Sequence, residues 1–367
     1  MKFSCERSIL IKEISIAQEI ISSKNAISIL SNIYLEAKND TLVIKSTDLK
    51  VNFETKVPVT VLAEGSTTVF GDKFLGILTS IPDGEMEFDQ NDLKINIKSK
   101  EMKGNFHLKS IASDKFPEFP VASGQNFFEL PIKDFKEMIM QTVFAVSDDE
   151  TRYFMNGVLC EKQNDTLVMV GTDGRRLAYI SQDIGAVVPD FSSVIIPPKI
   201  LNIVLKRAGD EGLVAVSITD KSIFVKFGSY ELYSVLIEGQ FPNYRRVIPE
   251  SQAYSFTVNR EEMLDALKRV ALLVEQKSRR IYLGVSNEGV VITSEESDIG
   301  EAKMEINCKY EGEPVSIALN YRYIEEPFKV ISDEEVQLLF NEPNKAITLK
   351  PVPEKNFFHI IMPMQVD

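Results

Sequence analysis

Tryptophan is absent from this sequence, and only two histidines and three cysteines occur among its 367 residues. With His107 and His359 the only imidazoles, acid–base chemistry built on histidine has little to draw on. A metal site would have to be made of carboxylates alone. Cys5, Cys160 and Cys308 are too widely spaced for a zinc motif and odd in number, so they read as buried thiols in a reducing compartment. No apolar run approaches the roughly 18 residues of a membrane span. Glu6, Lys12 and Glu13 interrupt the start where a signal peptide needs an unbroken apolar core. These absences point to a cytoplasmic protein with no membrane partner, no metal and no cofactor. Basic charge is also in deficit, with 41 Lys and Arg against 54 Asp and Glu, a net of −13. That argues against a protein that wraps nucleic acid through many phosphate contacts. It leaves room for one basic surface on an acidic body.

What the sequence does have is an internal repeat. "NIYLEAKNDTLVIKSTDLKVNFETKVP" from residue 32 aligns with "NGVLCEKQNDTLVMVGTDGRRLAYISQDI" from residue 156. Asp48 and Asp173 lie 125 residues apart, as do Phe116 and Phe241, and Asp298 lies 125 beyond Asp173. Helical patterns fall in the same frame. The segments 8–24, 131–146 and 259–276 each open a copy, with apolar residues at three- and four-residue spacing. Pro131 suits a first helical turn, and Asn259 followed by Glu262 suits a capping box. A second helix follows in each copy, at "GDKFLGILTSI", "PPKILNIVLKRA" and "NYRYIEEPFKVI". Alternating segments such as "LKINIKS", "SIFVKF" and "VQLLF" supply strands. A period this long exceeds a solenoid unit, so each copy should be a domain with its own core. The expected fold is α+β, with domains 1–125, 126–252 and 253–367, each with two helices packed on antiparallel sheets.

One stretch, "VGTDGRRLAYIS" at residues 170–181, has the look of a site. It lacks the Gly-Lys-Ser/Thr ending of a phosphate loop, and "LAYIS" alternates like a strand. Asp173 has no histidine partner with which to activate a nucleophile. The same Asp recurs at 48 and 298, as expected of a turn residue that bonds its own backbone.

The opening "MKF", then "STDLKVNFE", "RYFMNGVLCE", "TDGRRLA", "FPNYRRVIP" and the terminal "IIMPM" together resemble the bacterial DNA sliding clamp, the beta subunit of DNA polymerase III. The resemblance runs through all three copies. It implies three similar clamp domains per chain and a head-to-tail homodimer that closes a six-domain ring around double-stranded DNA. It implies a processivity factor rather than an enzyme. The implied partners are the DNA polymerase III catalytic subunit, the clamp loader and other clamp-motif proteins. A ring holds DNA by topology, so its phosphate contacts can be weak and carry no sequence information.

Carried over position by position, the resemblance gives a partner-peptide pocket. Its residues are Met155, Thr172, Gly174, Arg175, Arg176, Leu177, Pro242, Arg246, Val247, Asn320, Tyr323, Ile361, Met362, Pro363 and Met364. Leu177, Val247, Ile361, Met362 and Met364 would form an adaptable apolar slot. Arg176 and Arg246 would offer packing stems and charged heads to a partner. Gln365 stands where the familiar clamp ends in arginine, and Asp367 adds a negative end. DNA-facing candidates on the helices are Lys12, Lys24, Lys73, Lys136, Lys199, Lys206 and Arg322, with Glu325 and Glu326 diluting the last helix. At the subunit seam the resemblance sets Phe106 against Leu272 and Leu273. Lys103 and its neighbours would face an acidic edge that includes Glu301. Two other classes of function remain to be separated. "SDDE" at 147–150 raises a carboxylate-metal enzyme, and the repeat alone would also suit a protein-only scaffold.

Overall fold

The computed structural model describes residues 1–21, 28–122, 126–185 and 188–365. The chain divides into two compact units, residues 1–133 with 199–236 and residues 134–198 with 237–367. Six α-helices occur among the described residues: α1 Arg7–Ile20, α2 Gly71–Ser80, α3 Ile132–Met140, α4 Pro198–Arg207, α5 Arg260–Val270 and α6 Tyr321–Val330.

The second helix of each copy falls where the pattern places it, while the first helices are shorter than expected. Pro131 is not in a helix. It ends the edge strand Phe128–Pro131, where a residue without an N–H is tolerated, and the Ile132 N–H then bonds the Gly212 carbonyl at 3.0 Å. α3 stops at Met140. There Thr142 turns its hydroxyl back onto the Met138 carbonyl at 2.7 Å, and a 3-10 turn Val143–Ala145 follows. Asn259 caps α5, its Oδ1 accepting from the backbone of Glu261 and Glu262 at 2.9 and 3.1 Å.

The first unit holds a continuous antiparallel sheet of thirteen strands, against which α1 buries Leu10, Ile14, Ala17 and Ile20. The second unit holds sheets of nine and four strands. Each large sheet crosses from one copy of the repeat to the next at a single strand pair. In the first unit Val51–Pro58 pairs with Tyr230–Val235, with Val51 opposite Ser234 and Glu54 opposite Glu231. In the second unit Arg176–Asp183 pairs with Phe357–Ile361, with Leu177 opposite Ile360. In both seams the strand that follows a Thr-Asp turn joins the last strand of the following copy.

Two strand edges are left over by this rule. Lys303–Ile306 follows the third copy's turn and is the outermost strand of the four-stranded sheet. Asn105–Ile111, the last strand of the first copy, pairs with Lys94–Ser99 from Asn105 to Lys109, but its other side meets a neighbour only at Ser110 and Ile111.

Candidate functional site

The turn at 172–176 owes its shape to its own side chains. Asp173 Oδ1 accepts from the backbone N–H groups of Arg175 and Arg176 at 2.8 and 3.1 Å. Thr172 Oγ1 accepts from Gly174 N–H at 3.1 Å and donates to the Arg176 carbonyl at 2.6 Å. Gly174 has φ +86°, a conformation that other residues adopt only with strain. Asp48 repeats the arrangement, accepting from Lys50 and Val51 at 2.9 and 2.7 Å. At the third copy the role passes to Ser297, whose hydroxyl bonds the Gly300 carbonyl at 3.1 Å.

This turn forms one wall of a narrow apolar cavity of about 110 Å³. Of the expected pocket residues, Met155, Thr172, Gly174, Arg175, Arg176, Leu177, Pro242, Val247 and Met362 line it. Its floor is a buried cluster of Leu159, Val168, Val170, Leu177, Tyr244 and Ile360. Asn320, Tyr323, Pro363 and Met364 instead line an adjoining cavity of about 490 Å³, which shares Arg175 and Met362 with the first. Arg246 lines a third cavity, of about 690 Å³, that meets the first along Pro242, Asn243 and Tyr244. The tail reaches this place by backbone bonds: Met362 N–H to the Arg175 carbonyl at 2.9 Å, and Met364 N–H to the Ala318 carbonyl at 2.8 Å.

Two details of the expected pocket change. Ile361 does not line any of these cavities; Ile360 does. The register sets Ile360 opposite Leu177, and alternate residues of a strand face opposite sides, so Ile361 is buried on the other face. Counting strand parity back from Met362 would have found it. Arg176 lines the cavity with its stem, but its charged head is already engaged. Nε meets Asp173 Oδ2 at 3.1 Å, Nη2 donates to the Phe144 carbonyl at 2.7 Å, and Nη1 pairs with Glu326. The guanidinium carbon lies 4.7 Å from the Tyr323 ring centroid and 5.6 Å from that of Phe144. Arg246 differs, being exposed and without an ion pair among the described residues.

Two buried polar groups brace the floor. Tyr244 donates to Glu161 Oε1 at 2.5 Å and accepts from Gln163 Nε2 at 3.0 Å; burial first, then Glu161, pushes its phenol well above the usual range. His359, one strand position from Ile360, is fully enclosed. Burial, with a smaller push from Arg176, lowers its pKa to about 3, so it is a neutral imidazole. Tyr244, Asn243, Lys277 and Ser278 are lining residues that the sequence did not single out, and Gln365, noted there only as a departure from the familiar clamp, lines the second cavity.

The remaining candidates are scattered over the helices and edges. Lys199 Nζ is held by the Ile20 carbonyl and Asp48 Oδ2, each at 2.6 Å, and Lys206 by Glu19 at 2.6 Å. Lys73 lies 3.2 Å from Asp72. Lys12 and Arg322 are exposed, Lys136 is half-buried, and Lys24, like Asp367, lies outside the described residues. Glu325 pairs with Lys329 at 2.8 Å and Glu326 with Arg176, so neither acid on α6 stands free. Leu272 is 82% exposed and Leu273 half-buried; Phe106 is half-buried, and Lys103 and Glu301 are exposed. Ile299, at 86% exposure, is a bare apolar side chain that the sequence reading passed over. In the "SDDE" run, Asp149 caps the following turn through Thr151 N–H at 2.9 Å and pairs with Arg152. Among the described residues no three His, Cys, Asp or Glu side chains are placed to hold a metal ion. No described helix is long and apolar enough to cross a membrane.

Three family models match in succession: the DNA polymerase III beta subunit N-terminal domain over residues 1–120, the central domain over 129–243 and the C-terminal domain over 245–365. The chain is 47% identical to the beta sliding clamp of Treponema pallidum over 371 residues, covering all of both chains, and 28% identical to that of Proteus mirabilis over 370. Among solved structures, a sliding clamp (DNA polymerase III subunit beta) from Pseudomonas aeruginosa bound to griselimycin superposes with a TM-score of 0.88 at 27% identity. A DNA polymerase sliding clamp from Bacillus subtilis does so at 0.87 and 26%. Both matches cover the whole of this chain and of its counterpart.

Proposed function

This chain belongs to the DNA polymerase III beta-subunit family, the beta sliding clamps, and from that premise we propose how its residues perform the family's task of making a polymerase processive. Two chains join head to tail into a ring of six domains, divided along the chain near residues 125 and 252. The ring encircles duplex DNA without reading its sequence. It makes and breaks no bond. It acts in the cytoplasm, on the chromosome, by keeping its partners there.

The observation that carries the ring is the pair of unfilled strand edges. Each internal seam joins the strand after a Thr-Asp turn to the last strand of the next copy. Lys303–Ile306 and most of Asn105–Ile111 each lack such a neighbour among the described residues. A second chain supplies both. Moving the Val51 strand two repeats forward and the Ser234 strand one repeat back sets Glu301 opposite Lys109 and Met304 opposite Phe106. An exposed sheet edge is a template for pairing, and closing the ring fills both of these. Leu272, Leu273 and Ile299 supply apolar area that exposed ion pairs, at up to about 1 kcal/mol each, cannot. The role of Lys103 is to hold positive charge beside that acidic edge.

The apolar cavity beside Gly174 is the landing site for partners, which are the polymerase catalytic subunit, the clamp loader and other proteins with a short extended motif. Its dry floor takes an apolar anchor, and the adjoining cavity beneath Tyr323 takes the residues before it. Exposed basic residues on the helices, Lys12, Lys73 and Arg322 among them, meet phosphates.

The experiment is retention on circular and linear DNA. The protein, once loaded, should stay on a covalently closed plasmid and leave the same plasmid after a single double-strand cut. Changing Leu272 and Leu273 to Ala should yield monomers in dilute solution and remove the difference. Equal loss from both DNA forms by the unaltered protein would refute the ring.

A further inference from the structure

The cradle that forms the partner slot recurs at the first seam with different chemistry. Where Met362 N–H bonds the Arg175 carbonyl at 2.9 Å, Val235 N–H bonds the Lys50 carbonyl at 2.9 Å. Positions 125 residues earlier replace the apolar floor: Leu159 becomes Tyr34, Val170 becomes Lys45, Leu177 becomes Asn52 and Tyr244 becomes Phe119. Opposite Asn52 stands Tyr233, where Leu177 has Ile360. Beside this seam the first unit has an open cavity of about 530 Å³, lined by Tyr34, Phe116 and Phe119 among others; by the 125-residue shift it is the counterpart of the 690 Å³ cavity that adjoins the slot.

Its walls are rings and carboxylates. Tyr34 and Phe116 lie 5.4 Å apart between ring centroids, and Phe116 and Phe119 6.0 Å. A cation already rests on them: Lys45 Nζ lies 5.8 Å from the Tyr34 centroid and 5.4 Å from that of Phe119, and 2.9 Å from Glu54. The ring faces are therefore turned toward positive charge. Asp114 and Glu118 stand exposed on the rim with no ion pair among the described residues, and Val121 beside them is 71% exposed. Four lining carboxylates, Glu54, Asp114, Glu118 and Glu231, outnumber the single lysine.

We propose that this cavity is a second docking site, for an extended segment of a partner protein that carries arginine or lysine between apolar residues. A guanidinium can stack on Phe119 or Tyr34 and reach Asp114 or Glu118, while its apolar neighbours cover Val121. The apolar anchor suited to the second seam is refused here, because it would bury the Lys45 ammonium and the rim carboxylates against hydrocarbon. The two seams of one chain thus select different segments.

The test uses the full chain and a fluorescein-labelled octapeptide of alternating arginine and leucine, read by anisotropy. The same peptide with glutamate for arginine is the control. The arginine peptide should bind and the glutamate peptide should not. Glu118→Lys, an exposed change that leaves the fold alone, should weaken binding by about tenfold or more, and Phe119→Ala should weaken it as well. An unlabelled peptide ending in Leu-Phe should not compete. Undiminished binding to both variants would assign the affinity to the general acidic surface and overturn the proposal. Competition by the Leu-Phe peptide would move the site to the other seam and overturn it equally. A failure of the Leu-Phe peptide to bind at all would count against the partner slot, not against this site.

Discussion

The Arg176 guanidinium lies 4.7 Å from the ring of Tyr323 and is paired with Glu326, two α6 residues about 150 positions away in sequence. One side chain thus fixes the 172–176 turn against the helix that borders the second cavity. Its stem is part of the slot and its charge is part of the scaffold.

Arg176→Ala should accordingly cost stability as well as binding. It leaves Asp173 and Glu326 without their cation and removes a packed ring contact, a loss of about 2–4 kcal/mol. Arg176→Lys should recover only a part, since an ammonium cannot meet Asp173, Glu326 and the Phe144 carbonyl at once. Urea unfolding and peptide titration of both variants would check this. A variant with native stability and weakened binding would show that the head serves the partner after all.

Removal of residues 362–367 should abolish binding of a peptide ending in Leu-Phe while leaving the dimer intact. The tail is anchored by backbone bonds from Met362 and Met364, and those atoms belong to no sheet. Met362 borders both cavities, so its loss opens the floor to water. Calorimetry with the peptide, and sedimentation for the dimer, would test it; unchanged affinity would remove the tail from the site.

The structure sorts the helix lysines by what already holds them. Lys199→Glu would set a second acid beside Asp48 and strip the Ile20 carbonyl of its donor, and should lower thermal stability. Lys12→Glu and Lys73→Glu touch exposed groups and should leave stability nearly unchanged while shortening residence on closed circular DNA, more so at low salt. Equal effects of all three on DNA residence, with no change in unfolding, would contradict this division.

The repeat, the second helices and the turn chemistry were legible because each rests on local rules. A 125-residue echo survives in Asp48 and Asp173, and the apolar spacing of "PPKILNIVLKRA" suffices for α4. The ends of the first helices were not legible, since Thr142 and Pro131 act through partners in other strands. At the site, the resemblance supplied the residues but not their division. Which of Ile360 and Ile361 faces the slot depends on a strand pairing with Leu177, and whether Arg176 is free depends on Glu326 across the unit. Both are tertiary facts.

His359 gives the second unit a dependence on pH whose sign can be worked out. Gln141 donates through Nε2 to the Val330 carbonyl at 3.1 Å, which leaves its Oε1 to accept from His359 Nε2, also at 3.1 Å. Nδ1 then carries a buried lone pair with no partner among the described residues. The folded imidazole stays neutral down to about 3, whereas an unfolded one takes a proton near 6.5. Below that value the unfolded chain binds the extra proton, so stability falls as pH falls, by up to about 1.4 kcal/mol per unit. Above pH 7 the residue contributes no slope. His359→Gln, which keeps an acceptor and a donor facing Gln141, should flatten the dependence between pH 6.5 and 5 by about 2 kcal/mol in total. Denaturant unfolding at these two pH values, in both proteins, measures it. Parallel curves for the two would show that other groups, not this imidazole, set the acid limit of the fold.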